Sequence, residues 1–201
     1  MEERHLIRLV LASKNKGKIN ELGAITEGLP VEIKSLADYG PQAAIIEDGL
    51  TFLENALKKA RGAARLTGEI ALADDSGLEV DFLRGAPGIN SARYAGPGAT
   101  DELNLRKLLR EMTGVPYEQR GACFVCTLVL YHPDGTYQSF DGAWRGVISA
   151  EPKGEQGFGY DPVFFLPELG KTAAELPPAL KNRLSHRAEA MNKLKECLLG
   201  K

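Results

Sequence analysis

The stretch Leu6-Ile7-Arg8-Leu9-Val10-Leu11-Ala12, followed by Ser13-Lys14-Asn15-Lys16-Gly17-Lys18 and then by Ile19, Leu22 and Ile25, decides the fold class. An apolar run broken only by Arg8 reads as a strand. Apolar residues recur at helical spacing after the polar loop, so the order is strand, loop, helix. Residues 31–36 supply a candidate second strand. Asp48-Gly49 marks a turn, and Thr51 with Glu54 three residues later is the pattern of a capping box, opening a helix over residues 52–66. Residues 70–73 read as a buried strand, which the turn chemistry of Asp74-Asp75-Ser76-Gly77 is expected to end.

The later half changes character. Residues 85–98 are rich in Gly and Pro and predict an irregular loop, ahead of a helix over residues 101–112. Residues 122–132, a Pro133-Asp134-Gly135 turn and residues 137–144 predict a β-hairpin. Residues 154–161 are glycine-rich again, and residues 163–166 suit a short strand. Pro177-Pro178 interrupts the chain before a last helix, with Ser185 as N-cap and Ala188, Met191, Leu194 and Leu198 on its apolar stripe. Early βα alternation followed by hairpin signals predicts an α/β fold with a mixed central β-sheet flanked by helices. The expectation is one catalytic domain over residues 1–201, in two lobes, with a small-molecule site in the cleft between them.

Composition narrows the function classes. With 201 residues, 43% hydrophobic and 26% charged, the chain can bury one sizeable core. Lys and Arg number 25 against 27 Asp and Glu, a net charge of -2, which gives no electrostatic footprint for duplex nucleic acid or an anionic membrane. The longest uncharged run, residues 121–133, is far short of the roughly 20 apolar residues of a membrane span. The start of the chain lacks the pattern of a secretory signal, so the expected location is cytoplasmic. Cys123 and Cys126 form a C-x-x-C, but within a strand-like run residues three apart point to opposite faces, which argues against a zinc or redox role.

Three constellations could carry chemistry. The loop Ser13, Lys14, Asn15, Lys16, Gly17, Lys18 leaves a strand and enters a helix, where unpaired backbone N–H groups, the helix dipole and lysine charges favour an anion such as phosphate. It is not a P-loop, because Ala12 replaces the first glycine and Ile19 the hydroxyl residue. An ordinary solvated lysine loop is the competing reading, and these residues alone leave both open.

Glu47, Asp74 and Asp75 come next. Adjacent strand residues face opposite ways, so only one of Asp74 and Asp75 can point into a given site while the other serves the scaffold. Two carboxylates from separate segments suit Mg²⁺, which takes one or two carboxylates plus waters and substrate phosphates. A turn sequence is the plainer reading of Asp-Asp-Ser-Gly. An aspartyl-phosphate phosphatase would instead separate its two aspartates by one residue. At about 100° per residue, Phe52, Ala56, Ala60, Ala63 and Ala64 share one helix face, with Lys59 at its edge near Asn55. Lys59 can therefore reach a site or merely snorkel.

The third set is Phe158, Gly159, Tyr160 and Asp161 together with Ser185, His186 and Arg187. An aromatic beside a glycine can stack on a nucleobase, and His or Arg at a helix start can donate to a base carbonyl. Each also reads as ordinary core.

Together, Leu11-Ala12-Ser13-Lys14-Asn15-Lys16-Gly17-Lys18, Glu47-Asp48-Gly49-Leu50-Thr51-Phe52-Leu53-Glu54-Asn55-Ala56, Ala73-Asp74-Asp75-Ser76-Gly77-Leu78, Gly85-Ala86-Pro87-Gly88, Ser91-Ala92-Arg93-Tyr94-Ala95-Gly96, Gly157-Phe158-Gly159-Tyr160-Asp161-Pro162 and Ser185-His186-Arg187 resemble the inosine/xanthosine triphosphate pyrophosphatases, in order along nearly the whole chain. The resemblance implies an elongated α/β fold with a cleft between two lobes, a homodimer, and Mg²⁺-dependent hydrolysis of ITP, dITP and XTP to monophosphate and pyrophosphate. It implies that Ser13 to Lys18 and Lys59 hold the triphosphate, and that Glu47 and Asp75 bind magnesium. Asp75 is also implied as the base toward water, Ser76 as a neighbour of the phosphate, and Phe158, Gly159, Tyr160, Asp161, Lys181, His186 and Arg187 as holding base and sugar. Ser13 stands where many relatives have Thr and keeps the hydroxyl. Asn90 replaces a Tyr often found before Ser91-Ala92-Arg93, a loop expected at the lobe junction or dimer contact.

A triphosphate brings about four negative charges, which lysines and a divalent cation would neutralise while polarising phosphorus. Two other readings compete. A nucleotide-sensing module would keep the lysines and aromatics without converging carboxylates, and a related pyrophosphatase could act on modified pyrimidine triphosphates.

Overall fold

Leu9 and Leu11 pack into one hydrophobic cluster while Val10 and Ala12 pack into another, so the first strand is buried on both faces. This strand, β1 (Ile7–Leu11), belongs to a computed structural model that describes residues 7–13, 15–26, 31–40 and 45–199, without the side chains of Lys16 and Ile25. Strand β1 pairs in parallel with β2 (Val31–Ser35) and with β3 (Ile70–Val80). The chain divides into two compact units. The first comprises Met1–Asp75, Cys126–Asp141 and Arg187–Lys201, the second Ser76–Val125 and Gly142–His186.

In the first unit, helix α1 (Lys16–Thr26) contributes Leu22 to the cluster containing Leu9, Leu11 and Leu72. The last helix, which we number α5 (His186–Leu198), adds Ala190, Met191 and Leu194 there. The opposite face of the sheet, with Val10, Ala71 and Ala73, receives α2 (Phe52–Thr67) through Ala56, Ala60, Ala63 and Ala64. Alanine is the best helix former and lets a helix lie close to a sheet. Thr51 Oγ1 accepts from Glu54 N–H to start α2, and Gly68, at φ 72°, ends it by donating to Ala64 O. The Glu54 carboxylate accepts from Leu50 N–H, one residue before the cap, so the expected capping box forms in shifted register.

The second unit centres on Leu78, Val80, Leu108, Met112, Phe124, Ile148 and Phe164. It contains α3 (Asp101–Glu111) and α4 (Pro178–Leu184). Arg120 is buried there and donates to the carbonyls of Ile148, Met112 and Ser149, a guanidinium satisfied by backbone alone. The remaining strands are β4 (Gly121–Tyr131), β5 (Tyr137–Ile148), β6 (Phe164–Leu166) and β7 (Lys171–Thr172). The strand order is β2-β1-β3-β4-β5-β6-β7, and β5–β6 and β6–β7 pair antiparallel, so the sheet is mixed as expected.

Two expectations are corrected. Asp74-Asp75-Ser76-Gly77 does not end a strand, because β3 continues to Val80 and the turn follows, with Leu83 and Gly85 N–H donating to Val80 O. Both carboxylates find partners on their own faces, which offsets the cost of burial and overrides turn propensity. Pro178 opens a helix as well as interrupting the chain, because a first-turn residue needs no N–H. Ser185 then joins α4 to α5. Cys123, Cys126 and Cys197 form no disulfide, and no described helix is long and apolar enough to cross a membrane.

Candidate active site

Asp75 leaves β3 on the α2 face. Its Oδ1 accepts from Lys59 Nζ at 3.0 Å and its Oδ2 from Asn55 Nδ2 at 3.2 Å. The same Lys59 Nζ donates to Glu47 Oε2 at 3.0 Å, so carboxylates from β3 and from the loop before α2 converge on one ammonium. Burial disfavours the Lys59 charge, but Asp74, Asp75 and Glu47 outweigh it and raise its pKa. Lys59 therefore carries its charge between the two carboxylates. The Glu47 loop is clipped to α2 at further points: Gly49 N–H donates to Asn55 Oδ1 at 2.8 Å, and Lys58 pairs with Asp48 at 2.5 Å.

Asp74 points the other way, toward α1 and α5. Its Oδ2 lies 2.7 Å from Lys18 Nζ and 3.5 Å from Arg187 Nε. Burial would raise its pKa, yet Lys18, Arg187 and Lys59 more than offset this and hold the carboxyl below the ordinary range. Arg187 Nη1 also donates to Glu21 Oε2 at 2.6 Å. Thus Lys18 and Arg187, expected at phosphate and base, are both engaged with the buried Asp74.

In the loop entering α1, Asn15 is the helix cap: its Oδ1 accepts from Lys18 N–H at 3.1 Å, and its own N–H donates to Ser13 Oγ. Gly17 lies in the first turn. Lys14 lies outside the described residues, as does the Lys16 side chain.

The second unit gathers the remaining residues. Asp161, itself buried, accepts from Phe158 N–H at 2.8 Å and pairs with Lys181. Lys181 Nζ stands 4.9 Å from the Phe158 ring centroid. Gly159 N–H donates to Asp101 Oδ2 at 2.8 Å. Tyr160 is core: its hydroxyl donates to Ser91 O, and burial foremost, with Tyr94, Asp101 and Glu111 adding, raises its pKa. His186 is buried and stacked on Phe124 with centroids 4.9 Å apart. Ser76 is half-buried on β3.

Asn55, Glu21 and Asp101 are the participants that the sequence reading missed. Asn55 had a usable signal, since an amide on an alanine-rich helix face must find buried partners. Glu21 and Asp101 had none, because their partners are remote in sequence.

The residues around Lys59 suit a magnesium ion. Glu47 and Asp75 supply a pair of hard oxygen donors, each 3.0 Å from the same Lys59 Nζ. Mg²⁺ favours such an incomplete set, which waters and phosphate oxygens complete.

The Ham1 family model matches residues 9–197. The dITP/XTP pyrophosphatase of Geobacter sulfurreducens is 53% identical over 193 residues, covering 96% of this chain and 97% of that one. The dITP/XTP pyrophosphatase of Escherichia coli K12 is 51% identical over 193 residues, covering 95% and 98%. Among solved structures, a HAM1 protein from Coxiella burnetii superposes with TM-score 0.88 at 40% identity, covering 97% of this chain and all of that one. The Staphylococcus aureus Ham1 protein gives 0.86 at 41% identity, covering 96% and 98%.

Proposed function

Since the chain belongs to the Ham1 family, we propose that it is a hydrolase converting the deaminated purine nucleoside triphosphates ITP, dITP and XTP to monophosphate and pyrophosphate, which keeps these bases out of nucleic acids. The observation that carries this reading is the convergence of Glu47 and Asp75 on Lys59 Nζ, at 3.0 Å each.

Glu47 and Asp75 would hold Mg²⁺, which when bound supplies charge neutralisation and polarisation at phosphorus. Asp75 accepts the proton of the attacking water. Lys59 and Lys18, with Ser13, Lys14, Asn15, Lys16 and Gly17 around the start of α1, hold the triphosphate, and Ser76 sits beside it. Lys18 would exchange Asp74 for a phosphate oxygen. Phe158, Gly159, Asp161, Lys181 and His186 hold base and sugar, with Tyr160 anchoring their loop in the core. Arg187 donates to the purine 6-carbonyl, its guanidinium already oriented by Glu21 and Asp74. ATP presents an amino donor at that position, and a donor meeting a donor is rejected, by about 10⁴-fold in sites built on such bonds. We assign the protein to the cytoplasm as a homodimer; light scattering that returns the mass of one chain at micromolar concentration contradicts the dimer.

The test is product analysis with ITP, dITP, XTP, the standard triphosphates and modified pyrimidine triphosphates. Inosine monophosphate and pyrophosphate are expected as first products. Diphosphate with orthophosphate overturns the reading, preference for a pyrimidine reassigns the substrate, and binding without turnover makes the chain a sensing module.

A further inference from the structure

Asn55 is 1% exposed on the alanine face of α2, where an unsatisfied amide is costly, and both ends of its side chain are committed. Its Oδ1 accepts from Gly49 N–H at 2.8 Å, and its Nδ2 donates to Asp75 Oδ2 at 3.2 Å. The reversed amide would set NH₂ against N–H and oxygen against carboxylate, so these partners fix one orientation. Gly49 lies two residues after Glu47, and its backbone runs so close to α2 that an added Cβ would stand 2.7 Å from Asn55 Oδ1 and 2.8 Å from Glu54 Cβ. One buried amide thus joins the loop that carries Glu47 to the carboxylate of Asp75. Of the other ties on this loop, Lys58 to Asp48 and Glu54 to Leu50 do not reach Asp75.

We infer that Asn55 is a positioning residue that sets the Glu47 loop and the Asp75 carboxylate in mutual register, so that the two carboxylates converge on one divalent cation. The inference rests on the assignment of Glu47 and Asp75 as cation ligands. Lys59 also bridges the two carboxylates, but its ammonium occupies the point where they converge and repels a cation placed there. Asn55 is neutral and grips each partner from outside that point, so it can hold the geometry while a cation is bound. Partners that orient metal-binding carboxylates commonly contribute 10- to 100-fold in affinity.

The experiment is titration of the full-length protein with Mn²⁺ alone, followed by electron paramagnetic resonance, alongside thermal unfolding. The proteins are wild type, Glu47→Gln, Asn55→Ala, the double variant and Gly49→Ala. Asn55→Ala is expected to raise the Mn²⁺ Kd by about tenfold or more, and the double variant to lose less than the product of the single losses, because both act through one loop. Gly49→Ala, which pushes the loop off Asn55 while leaving every side chain in place, is expected to weaken Mn²⁺ in the same direction, and it decides the matter if Asn55→Ala does not fold. A folded Asn55→Ala or Gly49→Ala with wild-type Mn²⁺ affinity, or losses that multiply fully, overturns the inference while leaving the ligand assignment intact. Mn²⁺ binding that Glu47→Gln leaves unchanged, or no binding at all, overturns the ligand assignment and the inference with it.

Discussion

Asp74 and Asp75 are neighbours in sequence, yet their side chains are held by different helices: Asp74 by Lys18 of α1 and Arg187 of α5, Asp75 by Asn55 and Lys59 of α2. Strand alternation alone enforces the division. It divides a pair of like charges into one paired with Lys18 and Arg187 and one paired with Lys59.

The two aspartates should therefore fail differently. Asp75→Asn is expected to lower kcat by about 10²-fold or more, with a smaller loss of stability than Asp74→Asn because Lys59 keeps Glu47 as its partner. Asp74→Asn removes the buried counter-charge of Lys18 and Arg187 and is expected to cost on the order of 3–5 kcal/mol. Denaturant unfolding and turnover of both variants check this; equal kcat losses with equal stability refute the division of labour.

Gly157 has φ 75°, and a Cβ there would collide with Asp161 Oδ2. Gly157→Ala should displace Asp161, and with it Phe158 N–H and Lys181. If this loop holds the base, KM for ITP rises about tenfold, within the range expected for losing one buried charge-assisted hydrogen bond, while kcat changes less. An unchanged KM in a folded variant removes the loop from the base site.

Much of the first unit was legible in the sequence. The α2 face follows from alanine spacing, and Lys59 at its edge follows from the same wheel. The continuation of β3 through Asp-Asp-Ser-Gly was not legible, because local propensity favours a turn and the compensating cations come from residues 18 and 187. Arg187 and Glu21 are 166 positions apart, beyond the reach of any local pattern. Tyr160 shows the opposite limit. Its motif suggests a ligand contact, and its hydroxyl is spent on Ser91 O inside the core.

That placement gives a pH prediction. The Tyr160 pKa is raised in the folded state, so the neutral form is the one stabilised, and this contribution is complete below the ordinary tyrosine value of about 10. It is lost as pH rises from there through the higher folded value. Tyr160→Phe should unfold more readily at pH 8, by about 1 kcal/mol for the missing hydrogen bond, and lose stability less steeply than wild type above pH ~10. Parallel wild-type and variant curves across that range contradict the burial argument.

Arg187→Ala should reduce kcat/KM for ITP strongly and for ATP little, and should also lower the melting temperature, because Glu21 and Asp74 lose their shared cation. Kinetics well below the transition separate the two effects. Equal losses on both nucleotides leave Arg187 with the ion-pair role alone.

The parallel register Leu9↔Ile70, Val10↔Ala71 and Leu11↔Leu72 fixes which face each later β3 side chain takes. Deleting a single residue between Ile70 and Asp74 would bring Asp75 to the place of Asp74, facing Lys18 and Arg187, and Asp74 to the place of Ala73. Length in this segment is thus under tighter constraint than composition: Ala71 or Ala73 can give way to another small side chain, but any change in the number of residues takes both carboxylates off their partners.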